Sequence, residues 1–195
     1  MNTKIALITG ATSGIGKASA ITLAKMGYDI IATGRRKDRL DELETELPAG
    51  VRYYPLVFDV RDREKVGEIL GNLPADWAAV DVLINNAGNA HGLDPIQTGS
   101  LDDWDAMMDI NVKGLLYVSK AIIPGMTERK SGIIINIGSI AGKEVYPNGN
   151  VYCGSKHAVD AITKGMRMDL NPFGIKVIGI HPGLVETEFS LVRFK

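Results

Sequence analysis

Tyr152 and Lys156 stand four residues apart in the run Tyr152-Cys153-Gly154-Ser155-Lys156. On a helix that spacing puts both side chains on one face, a turn apart. An ammonium in that position stabilises a phenolate. A free phenol loses its proton near 10, too high for a base at neutral pH. At roughly 5 Å and an effective dielectric of about 20, the attraction is on the order of 3 kcal/mol, or about two pKa units. That brings the phenol towards the range of a general acid–base group. An ordinary amphipathic helix with a Tyr and a snorkelling Lys has the same spacing, so the pair needs support from elsewhere in the chain.

The first support is Thr9-Gly10-Ala11-Thr12-Ser13-Gly14-Ile15-Gly16. It follows a short apolar run and opens a helical pattern. Glycines at such a turn allow close backbone approach to a pyrophosphate, which then sits on the helix N-terminus. The spacing is Gly-x-x-x-Gly-x-Gly rather than the more quoted Gly-x-Gly-x-x-Gly. The second support is Thr33-Gly34-Arg35-Arg36, at the end of the next apolar run. An Asp or Glu there holds a free ribose 2′-OH. Two guanidinium forks instead suit a 2′-phosphate and offer no acceptor for a hydroxyl. The cofactor expected is NADP(H) rather than NAD(H).

These residues need a scaffold, and the apolar pattern supplies one. Strands are expected over residues 5–9, 29–33, 52–58, 80–84, 132–137 and 176–180, with helices over 14–26, 37–47, 62–73, 101–129 and 151–170. Strands alternating with helices make a parallel sheet covered on both faces. The expected fold is α/β, a doubly wound (Rossmann) parallel sheet in one domain spanning residues 1–195. Pro55 cannot donate to a ladder and marks the third strand as an edge, its place in the order 3-2-1-4-5-6. Gly27 fits a helix C-terminus and Ser100 with Asp103 a capping box.

The 195 residues are 45% hydrophobic with a formal charge of −1, which gives no electrostatic argument for nucleic acid or an anionic membrane. No apolar run reaches membrane-spanning length and Met1-Asn2-Thr3-Lys4 has no signal-peptide layout, so a cytoplasmic protein is expected. The single cysteine, Cys153, excludes an intramolecular disulfide and reads as a small packing residue. His91, His157 and His181 lack ligand spacing, and no metal is expected. Asp102, Asp103 and Asp105 dress a helix start, while Trp104, Met107 and Met108 read as packing.

Taken together, these motifs resemble the short-chain dehydrogenase/reductase family along nearly the whole chain. Asn85-Asn86-Ala87-Gly88 follows the fourth strand, Asn111 lies in Asp109-Ile110-Asn111-Val112, Ser139 follows the fifth strand, and Pro182-Gly183 ends the sixth. Closer similarity is to the bacterial branch of NADP-dependent 3-hydroxy acid dehydrogenases, through Ala32-Thr33-Gly34-Arg35-Arg36, Gly149-Asn150-Val151-Tyr152 and the tail from Glu188 to Lys195. The resemblance implies that Tyr152 is the acid/base, that Lys156 holds the nicotinamide ribose and lowers the Tyr pKa, and that Ser139 bonds the substrate oxygen. It implies that Asn111 helps hold a water leading from Lys156 to solvent. Gly10, Thr12, Ser13, Gly14, Ile15 and Gly16 would line the cofactor turn, with Arg35 and Arg36 beyond it. Asp59 and Val60 would meet the adenine, and Asn86, Ala87 and Gly88 the adenosine-side ribose. Pro182, Gly183, Val185 and Thr187 would wrap the nicotinamide.

The activity so implied is hydride transfer between the nicotinamide and the hydroxyl or carbonyl carbon of a small 3-hydroxy acid or β-hydroxy amino acid, such as serine, allo-threonine or malonic semialdehyde. A 3-oxoacyl thioester or general carbonyl reductase would use the same scaffold, and an NADPH-binding sensor or partner protein is the alternative outside enzymes. The substrate walls are expected from residues 91–95, 143–148 and the segment after Thr187, with Arg193 set to take a carboxylate. The resemblance also implies a homotetramer, and a longer chain with roughly fifty further C-terminal residues carrying a seventh strand and lid.

Overall fold

The structure, a computed structural model, describes residues 3–188. Six parallel strands form one sheet in the order β3-β2-β1-β4-β5-β6. They are β1 (Ile5–Thr9), β2 (Asp29–Gly34), β3 (Tyr53–Val57), β4 (Val80–Asn85), β5 (Gly132–Ile137) and β6 (Ile175–Ile180). The helices are α1 (Gly14–Lys25), α2 (Lys37–Thr45), α3 (Arg63–Gly71), α4 (Leu101–Met108), α5 (Leu115–Arg129) and α6 (Asn150–Leu170). This is the expected doubly wound sheet, with Pro55 on the edge strand opposite Ala32.

Alternation along each strand builds two cores. Leu7, Ile31, Leu83 and Ile134 face α3 and α5, against Val66, Leu70, Val118, Ile122 and Met126. Ala6, Ile8, Ile30 and Ala32 face the other way, against Ala20 and Ala24 of α1 and Leu40 and Leu43 of α2. Truncating a side chain as enclosed as Leu7 to Ala costs about 2–5 kcal/mol. Local punctuation follows the sequence. Gly27 takes φ 86° just past α1, Asp62 caps α3 by accepting from Lys65 N–H at 3.0 Å, and Ser100 caps α4 by accepting from Asp103 N–H at 3.3 Å.

One element departs from expectation. The single helix expected over 101–129 is interrupted by a π-helical turn, Asp109–Gly114. Two close contacts accompany it. Gly114 lies against Val60, where a Cβ would come within 2.7 Å of Val60 Cγ2, and Asn111 turns inward to the loop after β4. Wide turns of this kind concentrate at functional sites.

Candidate active site

The C-terminal ends of β1, β2, β4, β5 and β6 share one edge of the sheet, so the segments that follow them converge there. After β1, Gly10 and Gly14 hold φ values of 66° and 53°, which glycine adopts without strain. A Cβ on Gly16 would collide with Gly10 O and the Asn86 amide. The loop after β4 braces this turn. Asn86 Nδ2 donates to Thr9 O at 2.9 Å and Gly10 O at 3.1 Å, and Thr9 Oγ1 accepts from the N–H of Asn86 and of Ala87, each at 3.0 Å. Ser13 makes no side-chain cap, and the first turn of α1 holds no acid. The positive end of α1 is thus without a carboxylate of its own.

Arg35 and Arg36 follow β2, as expected, but each already faces a protein anion. Arg35 Nη1 lies 3.7 Å from Asp59. Arg36 donates to Glu188 from both terminal nitrogens at 3.2 Å and to Thr12 Oγ1 at 3.1 Å. Sequence reasoning gave Glu188 no role there. Asp59 also accepts from Arg61 at 2.7 Å; burial raises its pKa, but the Arg61 hydrogen bonds outweigh burial and hold it below the usual carboxylate value. The Val60 side chain is buried in the core.

On α6, Tyr152, Ser155 and Lys156 are all buried. Lys156 Nζ donates to Ile137 O at the end of β5, at 3.0 Å, and burial pushes its pKa down to about 8. Asn111 closes the far side. Its Oδ1 accepts from Asn89 N–H at 2.8 Å, and its Nδ2 donates to Asn89 O at 2.9 Å and Ser155 Oγ at 3.0 Å. Gly88 is the thin wall here: a Cβ would lie 3.0 Å from Asn111 Oδ1 and 3.6 Å from Lys156 Nζ. Ser139, also buried, caps a 3-10 turn (Ile140–Gly142) by accepting from Ala141 N–H at 3.1 Å. Tyr152 and Cys153 pack with Ala90, Met107 and Ala141, flanked by Trp104 and Tyr146. Cys153 is a packing residue, and Trp104 and Met107 form the apolar wall of the site.

The segment after β6 crosses the edge between these groups. Pro182 O accepts from Ile140 N–H at 3.0 Å, beside Ser139, and a Cβ on Gly14 would meet Thr187 at 3.3 Å. Gly183 and Val185, between them, are exposed. Beside Tyr152, a small recess brings together His91, Gly92 and Asp94 from the β4–α4 loop with Asp103 and Trp104 of α4 and Asn148. Residues from two of the three segments expected to wall the substrate line it, with Asn148 alone from 143–148. Arg193, the third wall's cation, lies outside the described residues. Among the described residues no group of three or more His, Cys, Asp or Glu side chains could hold a metal ion, and no helix is long and apolar enough to cross a membrane.

The profile of the short chain dehydrogenase family matches residues 4–193. An NADP-dependent 3-hydroxy acid dehydrogenase of Escherichia coli strain K12 is 47% identical over 192 residues, covering 98% of this chain and 77% of that one. A sulfoacetaldehyde reductase of Chromohalobacter salexigens is 45% identical, over 97% of this chain and 75% of its own. The solved closed form of a serine dehydrogenase complexed with NADP+ superposes with a TM-score of 0.93 at 46% identity, over 97% of this chain and 76% of that one. With the sheet order, the glycine turn and the Tyr152–Lys156 helix in their places, this chain belongs to the short chain dehydrogenase family.

Proposed function

We propose that the protein is an NADP(H)-dependent oxidoreductase acting on the hydroxyl or carbonyl carbon of a small 3-hydroxy acid or β-hydroxy amino acid. The observation that carries this reading is the convergence on one sheet edge of the uncapped α1 turn, the arginine pair and the buried Tyr152–Lys156 helix. Identity near one half to a 3-hydroxy acid dehydrogenase and to a serine dehydrogenase supports the substrate class.

The chain's residues fit the cofactor. Gly10, Thr12, Ser13, Gly14, Ile15 and Gly16 would hold the pyrophosphate on main-chain N–H groups, and Arg35 with Arg36 the 2′-phosphate. Asn86, Ala87 and Gly88 would meet the adenosine ribose, with Asp59 and Val60 at the adenine and Pro182, Gly183, Val185 and Thr187 at the nicotinamide. The cofactor, when bound, supplies or accepts the hydride. What remains for the protein is orientation and the proton. Ser139 would hold the substrate oxygen. Tyr152, as phenolate, would take the hydroxyl proton during oxidation and, as phenol, return one during reduction. Lys156, still an ammonium at pH 7 with a pKa near 8, would stabilise the phenolate and hold the ribose, with Asn111 on the proton route behind it.

Within the substrate class, Asp94 and Asp103 on the recess beside Tyr152 favour a substrate bearing an ammonium group. The same reading includes a cytoplasmic homotetramer. Exposed Leu101, Met108, Leu116 and Met168 on α4, α5 and α6 supply apolar area for subunit contacts.

The test is NADP+ reduction with L-serine, L-allo-threonine and 3-hydroxyisobutyrate, and NADPH oxidation with sulfoacetaldehyde and an acetoacetyl thioester. Turnover of the hydroxy acids or hydroxy amino acids is expected, with NADP(H) well ahead of NAD(H) and the preference reduced in Arg35→Asp. Equal kcat/KM with both cofactors, or turnover of the thioester alone, would refute it.

A further inference from the structure

His181 directly follows β6, and its ring occupies a slot that two glycines leave open. A Cβ on Gly138 would lie 2.6 Å from His181 Nδ1, and one on Gly179 would lie 3.0 Å from Nε2. Gly138 precedes Ser139 and donates its N–H to Ile180 O at 2.7 Å, so the slot is built from the paired ends of β5 and β6. Each ring nitrogen faces an oxygen. Nδ1 is 3.2 Å from Ser139 O, and Nε2 is 3.5 Å from Asp160 Oδ1. A carbonyl only accepts, and so does a carboxylate. Both contacts are filled by donors only when the imidazole carries both protons.

Asp160 lies one helical turn beyond Lys156 on α6, its side chain 13% exposed. It accepts from Lys143 Nζ and Lys164 Nζ at 2.6 and 2.8 Å. Those hydrogen bonds, Lys143 first, hold its carboxyl down at about 2, so it is an anion throughout the neutral range. One carboxylate therefore joins three pieces of the site: Lys143 after the Ser139 turn, the helix of Tyr152 and Lys156, and His181 at the head of residues 182–187.

We propose that His181, oriented by Asp160, is a positioning residue for Ser139: its Nδ1–H holds the Ser139 carbonyl and so sets where the Ser139 hydroxyl stands. This rests on the reading of Ser139 as the residue that holds the substrate oxygen. Losing one ring proton costs one contact. With Nδ1–H kept, the Nε2 lone pair points at Asp160; with Nε2–H kept, the Nδ1 lone pair points at Ser139 O and the clamp opens. Asp160 is the charged group on the ring, joined in turn to Lys143 and Lys164; on the strand side the ring faces the backbone at Gly138, Ser139 and Gly179.

Paired substitutions separate the two nitrogens. The Asn amide nitrogen reaches the Nδ1 position and that of Gln the Nε2 position. With NADP+ and L-allo-threonine, His181→Asn is expected to keep kcat within about threefold. His181→Gln is expected to lose about tenfold in kcat, a scale set by small misplacements near the chemistry, with NADP+ affinity unchanged. Lys164→Met, which leaves the ring contacts intact, is expected to match wild type. Equal losses in the Asn and Gln variants, or a change confined to thermal stability, would overturn the assignment. Long-range 1H–15N NMR on the unsubstituted protein needs no substrate: a proton on Nδ1 of His181 is expected, and a bare Nδ1 at pH 7 refutes it. Ser139→Ala and Tyr152→Phe run alongside. If both retain full activity, the active-site reading falls and the positioning role with it; if both lose activity while His181→Gln does not, only the positioning role falls.

Discussion

Arg36 and Glu188, 152 positions apart in the chain, meet with both terminal guanidinium nitrogens 3.2 Å from one carboxylate oxygen. Arg39 approaches the other oxygen at 3.7 Å. The cation expected to read a 2′-phosphate is thus already paired with an anion from the segment that follows β6. A phosphate seated on Arg36 must displace that carboxylate or share the fork with it. Glu188→Gln should therefore tighten NADPH binding by about 1.4- to 5-fold at low salt, the range of exposed ion pairs worth about 0.2–1 kcal/mol. NADH binding should not move, and the gain should fade as salt rises. Titration calorimetry with both cofactors checks this; weaker NADPH binding by the variant would mean that Glu188 assists rather than competes.

Tyr152→Phe keeps the ring that packs against Met107 and Ala141 and removes only the hydroxyl. Activity should drop by two to four orders of magnitude, the usual worth of a general acid–base group, while NADPH still binds. Steady-state rates and cofactor fluorescence measure the two separately. Activity within tenfold of wild type would remove Tyr152 from the mechanism.

Lys156 is a buried amine, and the cost of that burial should be visible in stability. Its pKa falls from 10.5 to about 8 on folding. Below pH 8 both states hold the proton, and the folded state carries a desolvated ammonium at a cost on the order of 3 kcal/mol, partly offset by the Ile137 carbonyl. Between 8 and 10.5 the unfolded chain binds the proton more than the folded one, so stability rises with pH as that cost disappears. Lys156→Met should melt at a higher temperature than wild type at pH 7 and lose that advantage towards pH 10, while activity is abolished. A pH-independent difference in melting temperature would contradict this account.

Asp94 and Asp103 give the recess beside Tyr152 its negative charge. Asp94→Asn should raise KM for L-allo-threonine several-fold and leave KM for 3-hydroxyisobutyrate unchanged or lower. The same change in KM for both substrates would show that Asp94 does not sense the amino group.

The strand order, the glycine turn and the helix of Tyr152 and Lys156 were legible in the sequence because each depends on local pattern. Alternating apolar residues choose the strand faces, Pro55 cannot sit inside a sheet, and a spacing of four defines a helix face. The same holds for Arg35 and Arg36, whose place follows from the end of β2. What sequence could not show are the contacts made where separate segments meet. Nothing near Glu188 in the chain points to Arg36, and nothing near Asp160 points to His181. The π turn at Asp109–Gly114 was equally invisible, because it accompanies contacts of Gly114 with Val60 and of Asn111 with Asn89. Local residue types determined which chemistry the chain can carry. Only the packing of the loops on the sheet edge decided which charges that chemistry must compete with, and which side chains hold it in register.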